Sequence, residues 1–121
     1  MIAYLSGPIE NAHNDGADWR QGITEWLETE LNHKVFNPVI ETKSIIEHQN
    51  TSDFRRMKKT NPDQYKKITR KIIKVDLDAV VNKSDYLIVK WDESVFRGGG
   101  THGEITMAYW LRKPVYLVNE L

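Results

Sequence analysis

The stretch Asp85-Tyr86-Leu87-Ile88-Val89-Lys90 is apolar at successive positions with little alternation, the pattern of a central parallel strand covered on both faces. Working outward, Met1-Ile2-Ala3-Tyr4-Leu5 is a second short apolar run, and Ser6-Gly7-Pro8 ends it with a turn. Between residues 15 and 32, Trp19, Ile23, Trp26, Leu27 and Leu31 form a helical stripe, with Asp15 and Asp18 as acidic first-turn and capping residues. Lys34-Val35-Phe36 then reads as a strand closed by Asn37-Pro38, so strand, helix and strand follow within 37 residues as a βαβ unit. From 39 to 46 only the pairs Val39-Ile40 and Ile45-Ile46 are apolar, and this stretch reads as a loop. Two helix starts follow, at Asn50-Thr51-Ser52-Asp53 and at Thr60-Asn61-Pro62-Asp63. The second helix is expected from about Pro62 to Asn82, with Ile68, Ile72, Val75 and Ala79 on one face. A helix over Thr101 to Arg112 and a strand at Pro114-Val115-Tyr116-Leu117-Val118 complete the pattern.

Alternating β and α elements joined by short loops predict a small doubly wound α/β sheet of four to five parallel strands, with helices on both faces. Such sheets bind ligands at the carboxyl ends of strands where the strand order reverses. The loops to inspect are therefore 6–15, 37–46 and 91–104.

The chain has 121 residues and is expected to be one domain, large enough to bury roughly 65 to 70% of its unfolded surface without a staple. It has no Cys, which excludes disulfide scaffolds, thiolate zinc sites and Cys nucleophiles together. Met1 to Leu5 is too short for a membrane span and lacks the basic flank of a signal peptide, so a soluble cytoplasmic protein is expected. Seventeen basic and seventeen acidic side chains cancel, but not locally. Residues 55–74 hold nine cations (Arg55, Arg56, Lys58, Lys59, Lys66, Lys67, Arg70, Lys71, Lys74) and one acid, Asp63, a net of +8 that leaves −8 elsewhere. With only Tyr65 available for base stacking, this segment reads as a solvated helix face, and nucleic acid is not the expected partner. Its cations instead offset the acidic remainder or steer an anionic nucleotide.

With thiols excluded, carboxylates lead the catalytic candidates. Four of the seven glycines fall between Gly98 and Gly103, before a helix whose free N–H groups favour an anion. The segment has neither a dinucleotide-binding nor a P-loop spacing. Thr101-His102-Gly103-Glu104 fits a capping box, so Glu104 has a structural reading. It also has a chemical one: a carboxylate at the positive helix end and at the mouth of the sheet is kept ionised for attack on a sugar carbon. Asp76 lies near the boundary of the buried stripe of its helix and reads either as structural, in an ion pair with Lys74 or Arg70 or at a solvated helix position, or as a residue with a task. Asp85 reads as a turn residue, and Asp92 and Glu93, at the end of the central strand, are placed for ligand hydroxyls, although acids in such a loop are more commonly surface residues. The Tyr4 hydroxyl needs a partner if buried, and a carboxylate at the neighbouring strand's end would serve.

Tyr4-Leu5-Ser6-Gly7-Pro8, Trp19-Arg20, Phe36-Asn37-Pro38, Asp76-Leu77, Ser84-Asp85, Gly103-Glu104 with Ala108, and Lys113-Pro114-Val115 together resemble, in order and spacing, the nucleoside 2-deoxyribosyltransferase family, which includes deoxynucleoside-monophosphate N-glycosidases. The resemblance spans most of the chain outside about 41–70, leaving a basic helical insertion at about 41–74. It implies a flavodoxin-like fold, cleavage or transfer at the N-glycosidic bond of a 2′-deoxynucleoside or its 5′-monophosphate, and a homodimer or larger homo-oligomer. By position it implies Glu104 as nucleophile, Asp76 as the acid assisting the base, and Tyr4 as the holder of the nucleophile. Gly7 and Asp92 are implied to contact substrate, and Ser94, Gly99, Gly100 and Thr101 to meet a phosphate. Asn119 is a candidate contributor across a subunit interface. The loop 93–103 is longer and richer in glycine than the family pattern, and Ile105-Thr106 replaces its usual Leu-Gly. No metal and no redox cofactor is implied.

Overall fold

A computed structural model describes residues 1–9, 16–48, 54–93, 95 and 99–118. Four parallel strands, β1 (Ile2–Ser6), β2 (Lys34–Phe36), β3 (Tyr86–Lys90) and β4 (Val115–Val118), form one sheet in the order β2-β1-β3-β4. The helices are α1 (Ala17–Glu30), α2 (Pro38–His48), α3 (Met57–Thr60, after a 3₁₀ turn at Phe54–Arg56), α4 (Pro62–Asp78) and α5 (Gly100–Trp110). The protein is a doubly wound α/β fold, and its strand order reverses at the β1/β3 seam.

Residues 3, 5, 86 and 88 pack with Trp19 and Leu27 of α1 on one face; Tyr4, Leu87 and Val89 pack with Ala79, Val80 and Ala108 on the other. The two-residue period of strands sends alternate side chains to opposite layers, which is why β3 had to be apolar throughout. Its Leu87 and Val89 are fully buried, each worth roughly 1.5–3 kcal/mol. The expected loop over 39–46 is instead helix α2. Pro38 occupies its first turn, where the missing N–H costs nothing, and the Val39 N–H donates to Asn37 Oδ1 at 3.0 Å. The helix expected over 62–82 stays α-helical to Asp78 and then widens into a π turn at Ala79–Lys83, with the Ser84 N–H donating to Ala79 O at 2.9 Å.

The carbonyls around this wide turn are collected by one cation. Lys113, between α5 and β4, donates from Nζ to the oxygens of Val80, Val81 and Ser84 at 2.7, 2.8 and 2.6 Å. The end of α4 is thereby tied to the corner after α5. Asp85 is structural, as expected: its Oδ2 accepts from the Ile2 N–H at 2.7 Å. Among the described residues, no helix is long and apolar enough to cross a membrane.

Candidate active site

Two positions of β1 and one of α5 meet at the reversal point. Tyr4 and Ser6 are two residues apart, so both side chains face the layer holding α5. On α5, Thr101, Glu104 and Ala108 form the buried stripe, which turns the Glu104 carboxyl toward the strand. The Tyr4 hydroxyl donates to Glu104 Oε2, and the Ser6 hydroxyl donates to Oε1 at 3.0 Å. Phe36 of β2 stacks on the Tyr4 ring at 5.4 Å and fixes its plane. The capping-box reading of Glu104 is therefore not realised. Helix α5 starts at Gly100 with Gly99 as its cap residue and no side-chain cap, and both Glu104 oxygens serve β1 hydroxyls.

The expectation that the helix end keeps Glu104 firmly ionised also needs correction. Glu104 is only 8% exposed, and burial pushes its carboxyl up to about 7 despite the Tyr4 and Ser6 donors and the Arg20 charge. Asp76 of α4 is pushed further, to about 8, by burial and then by repulsion from Glu104, with Arg20 opposing and Glu41 adding to the rise. Glu104 and Asp76 thus titrate as a coupled pair, both well above the ordinary carboxylate range. Near neutrality the pair holds roughly one proton. Asp76 Oδ1 is buried without a hydrogen-bond partner, so the ion-pair reading does not account for that atom. Burial and the Glu104 charge drive the Tyr4 phenol far above its ordinary range, so it remains a donor.

Sequence reasoning missed two members of this cluster. Ser6 was read only as part of a turn, although its two-residue offset from Tyr4 was the available signal. Arg20 carried no assigned role; the signal was a cation beside the apolar stripe of α1. It is 0% exposed and donates to four backbone carbonyls, those of Leu5 (3.3 Å), Gly7 (2.9 Å), Pro8 (3.3 Å) and Gly16 (3.1 Å). Desolvation lowers it to about 10, and the Glu104, Tyr4 and Asp76 charges act in the opposite direction. The guanidinium gathers both ends of the loop after β1, while its charge favours ionised carboxyls.

The structure brings together Glu104, Asp76 and Tyr4. Gly7 borders the group: its carbonyl is held by Arg20, and a Cβ there would meet the Trp19 ring at 3.0 Å. Asp92 lies beyond the end of β3 with Oδ2 4.0 Å from Lys90 Nζ. Thr101 is buried in α5, Gly99 and Gly100 are exposed, and a Cβ at either glycine would meet nothing within 4 Å. Trp91 and His102 stand edge to face at 5.4 Å, next to Asp92 and to the start of α5. Ser94, Asp15, Asn119 and the helix start at 50–53 lie outside the described residues. Among the described residues, no cluster of three or more His, Asp or Glu could hold a metal ion.

Two open clefts, of about 660 Å³ beside Tyr109 to Val115 and about 490 Å³ beside Trp19 and Lys90, do not include Glu104 among their lining residues. The coupled carboxyls mark this cluster as the candidate site. The chain matches no family model, no curated protein and no solved structure.

Proposed function

We propose that the protein cleaves or transfers at the N-glycosidic bond of a 2′-deoxynucleoside or its 5′-monophosphate, through a covalent glycosyl-glutamate at Glu104. The observation that carries this reading is Glu104 of α5 with both oxygens held by Tyr4 and Ser6 of β1, at the seam where the strand order reverses, and electrostatically coupled to Asp76 of α4, burial raising both carboxyls. One ionised and one protonated carboxyl is the state a retaining displacement requires. Glu104 attacks the anomeric carbon as the C–N bond breaks, and the departing base takes the Asp76 proton. Water, or a second base, then attacks the same carbon; Asp76 recovers a proton and Glu104 leaves. Two inversions give net retention.

Tyr4 and Ser6 hold both oxygens of the nucleophile in register. Gly99 and Gly100, exposed at the amino end of α5, are the positions that would take any phosphate. With Glu104 ionising near 7 and Asp76 near 8, base release is expected to be bell-shaped in pH with its maximum between these values.

Incubating the protein with deoxynucleosides and their monophosphates, with and without a free acceptor base, tests the reading. Wild type releases or exchanges base, and Glu104→Gln does not. A nucleotide-dependent thermal shift without base release from any substrate would make the protein a binding module instead. We further propose self-association through the exposed aromatic side chains at the end of α5, Tyr109 (81% exposed) and Trp110 (79% exposed). Sedimentation velocity on wild type and Trp110→Glu distinguishes an oligomer from a monomer.

A further inference from the structure

The basic segment is not spread around its helices. Lys66, Lys67, Arg70, Lys71 and Lys74 are all exposed, and at 3.6 residues per turn they fall within about 140° of arc on α4. Ile68 and Val75 lie on the opposite face, toward the protein interior. Arg55, Arg56, Lys58 and Lys59, on the 3₁₀ turn and α3 packed beside α4, are exposed as well. Nine cations and one acid over residues 55–74 make the exposed side of α3 and α4 strongly positive, a surface complementary to a polyanion.

Three polyanions compete for it. A single strand needs aromatic platforms, but Phe54 and Tyr65 are half-buried and stacked on each other at 5.0 Å. An anionic membrane attracts each such cation only weakly, and stable anchoring takes a second, apolar signal, whereas of the apolar residues on α4 only Ile73 is exposed. A duplex needs neither, since its backbone is engaged by charge alone. From Lys66 to Lys74 the stripe runs about 12 Å, a length over which a duplex presents about seven phosphates.

We propose that the outer face of the α3–α4 hairpin binds the sugar-phosphate backbone of double-stranded nucleic acid without reading its sequence. The surface lies on the side of α4 turned away from the protein interior, so the inference stands independently of the reaction at Glu104. The lack of stacking residues disfavours single strands and leaves duplexes untouched.

Fluorescence anisotropy with short labelled duplexes of unrelated sequence tests the proposal. Five phosphate contacts predict a slope of about −4.5 in log affinity against log salt, a loss of about 500-fold between about 50 and about 200 mM. Replacing Lys66, Lys67, Arg70, Lys71 and Lys74 together by Gln, a comparable helix former, removes most of the affinity and flattens the slope. Lys34→Gln, an exposed cation on β2, changes neither. Should the five-fold variant unfold, Arg70→Glu alone must still weaken binding and reduce the slope. The proposal is overturned if wild type shows no salt-sensitive duplex binding, or if the five-fold or Arg70 variant binds as wild type does. A single strand of equal length binding more tightly, or retention on phosphatidylserine vesicles exceeding that on duplex, would overturn it equally.

Discussion

Replacing Asp76 by Asn should stabilise the protein, and by an amount that grows with pH. The Asp76 carboxyl sits at about 8 in the folded chain against an ordinary value of 3.8. Between those two values the folded chain keeps a proton that the unfolded chain releases, so the contribution of this group to stability is complete below about 4 and is lost as pH rises through 8. Four units at 1.36 kcal/mol each set a ceiling of about 5–6 kcal/mol, and water at the outer edge of the half-buried side chain reduces this to about 2–4 kcal/mol. Asn has nearly the same shape and no charge, and Oδ1 of Asp76 accepts no bond that the replacement could break. Urea denaturation at pH 4, 6 and 8 should therefore give curves that nearly coincide for the two proteins at pH 4. By pH 8 the midpoint of the variant should be clearly higher. A stability difference that stays constant across this range would mean that Asp76 is ordinarily solvated, and the one-proton pair would fail with it. Base release should be lost in the same variant.

Three further substitutions probe the surroundings. Tyr4→Phe removes a donor that favours ionised Glu104, so the acidic limb of the base-release profile should move to higher pH and kcat/KM should fall by about 10- to 100-fold; an unmoved limb would count against the assigned role. Lys113→Met leaves the carbonyls of Val80, Val81 and Ser84 without their ammonium donor and should cost about 2–4 kcal/mol in chemical denaturation, with a loss below about 0.5 kcal/mol showing that water replaces it. Gly16 has φ of 72°, and a Cβ there would fall 2.4 Å from Arg20 Nη1 and 2.6 Å from Pro8 O, so Gly16→Ala should lower Tm by several degrees; an unchanged Tm would show that the loop shifts freely.

The fold was legible because residues 2–5 and 86–89 are apolar without interruption and the helix between β1 and β2 shows part of its stripe, Trp19, Ile23 and Leu27 packing on the core while Trp26 and Leu31 are exposed. Helix α2 escaped because Asn37-Pro38 can both stop a strand and start a helix, and a local reading took the first sense only. A buried Tyr4 hydroxyl's need for a carboxylate was legible in the residues, whereas its pairing with Glu104 followed only from the family resemblance. The ionisation of Glu104 was not legible, since it depends on how completely distant segments exclude water, which no local pattern records. Arg20 illustrates the same limit: four of its donors find carbonyls that a turn geometry, invisible in the residue types, brings to one point.

Tyr4 and Ser6 precede the carboxyl they serve by 100 and 98 residues. At a translation rate of about 5–20 residues per second, β1 therefore waits on the order of 5–20 s before α5 exists to accept its hydroxyl protons. Until then, closing that face of the sheet would bury two hydroxyls without this acceptor, which favours keeping them in water. The strand synthesised first at the centre of the sheet is thus among the last to be sealed. Nascent chains stalled before residue 104 should display the Tyr4 face of β1 to chaperones, and release of the completed chain, not emergence of β1, should mark the onset of protease resistance.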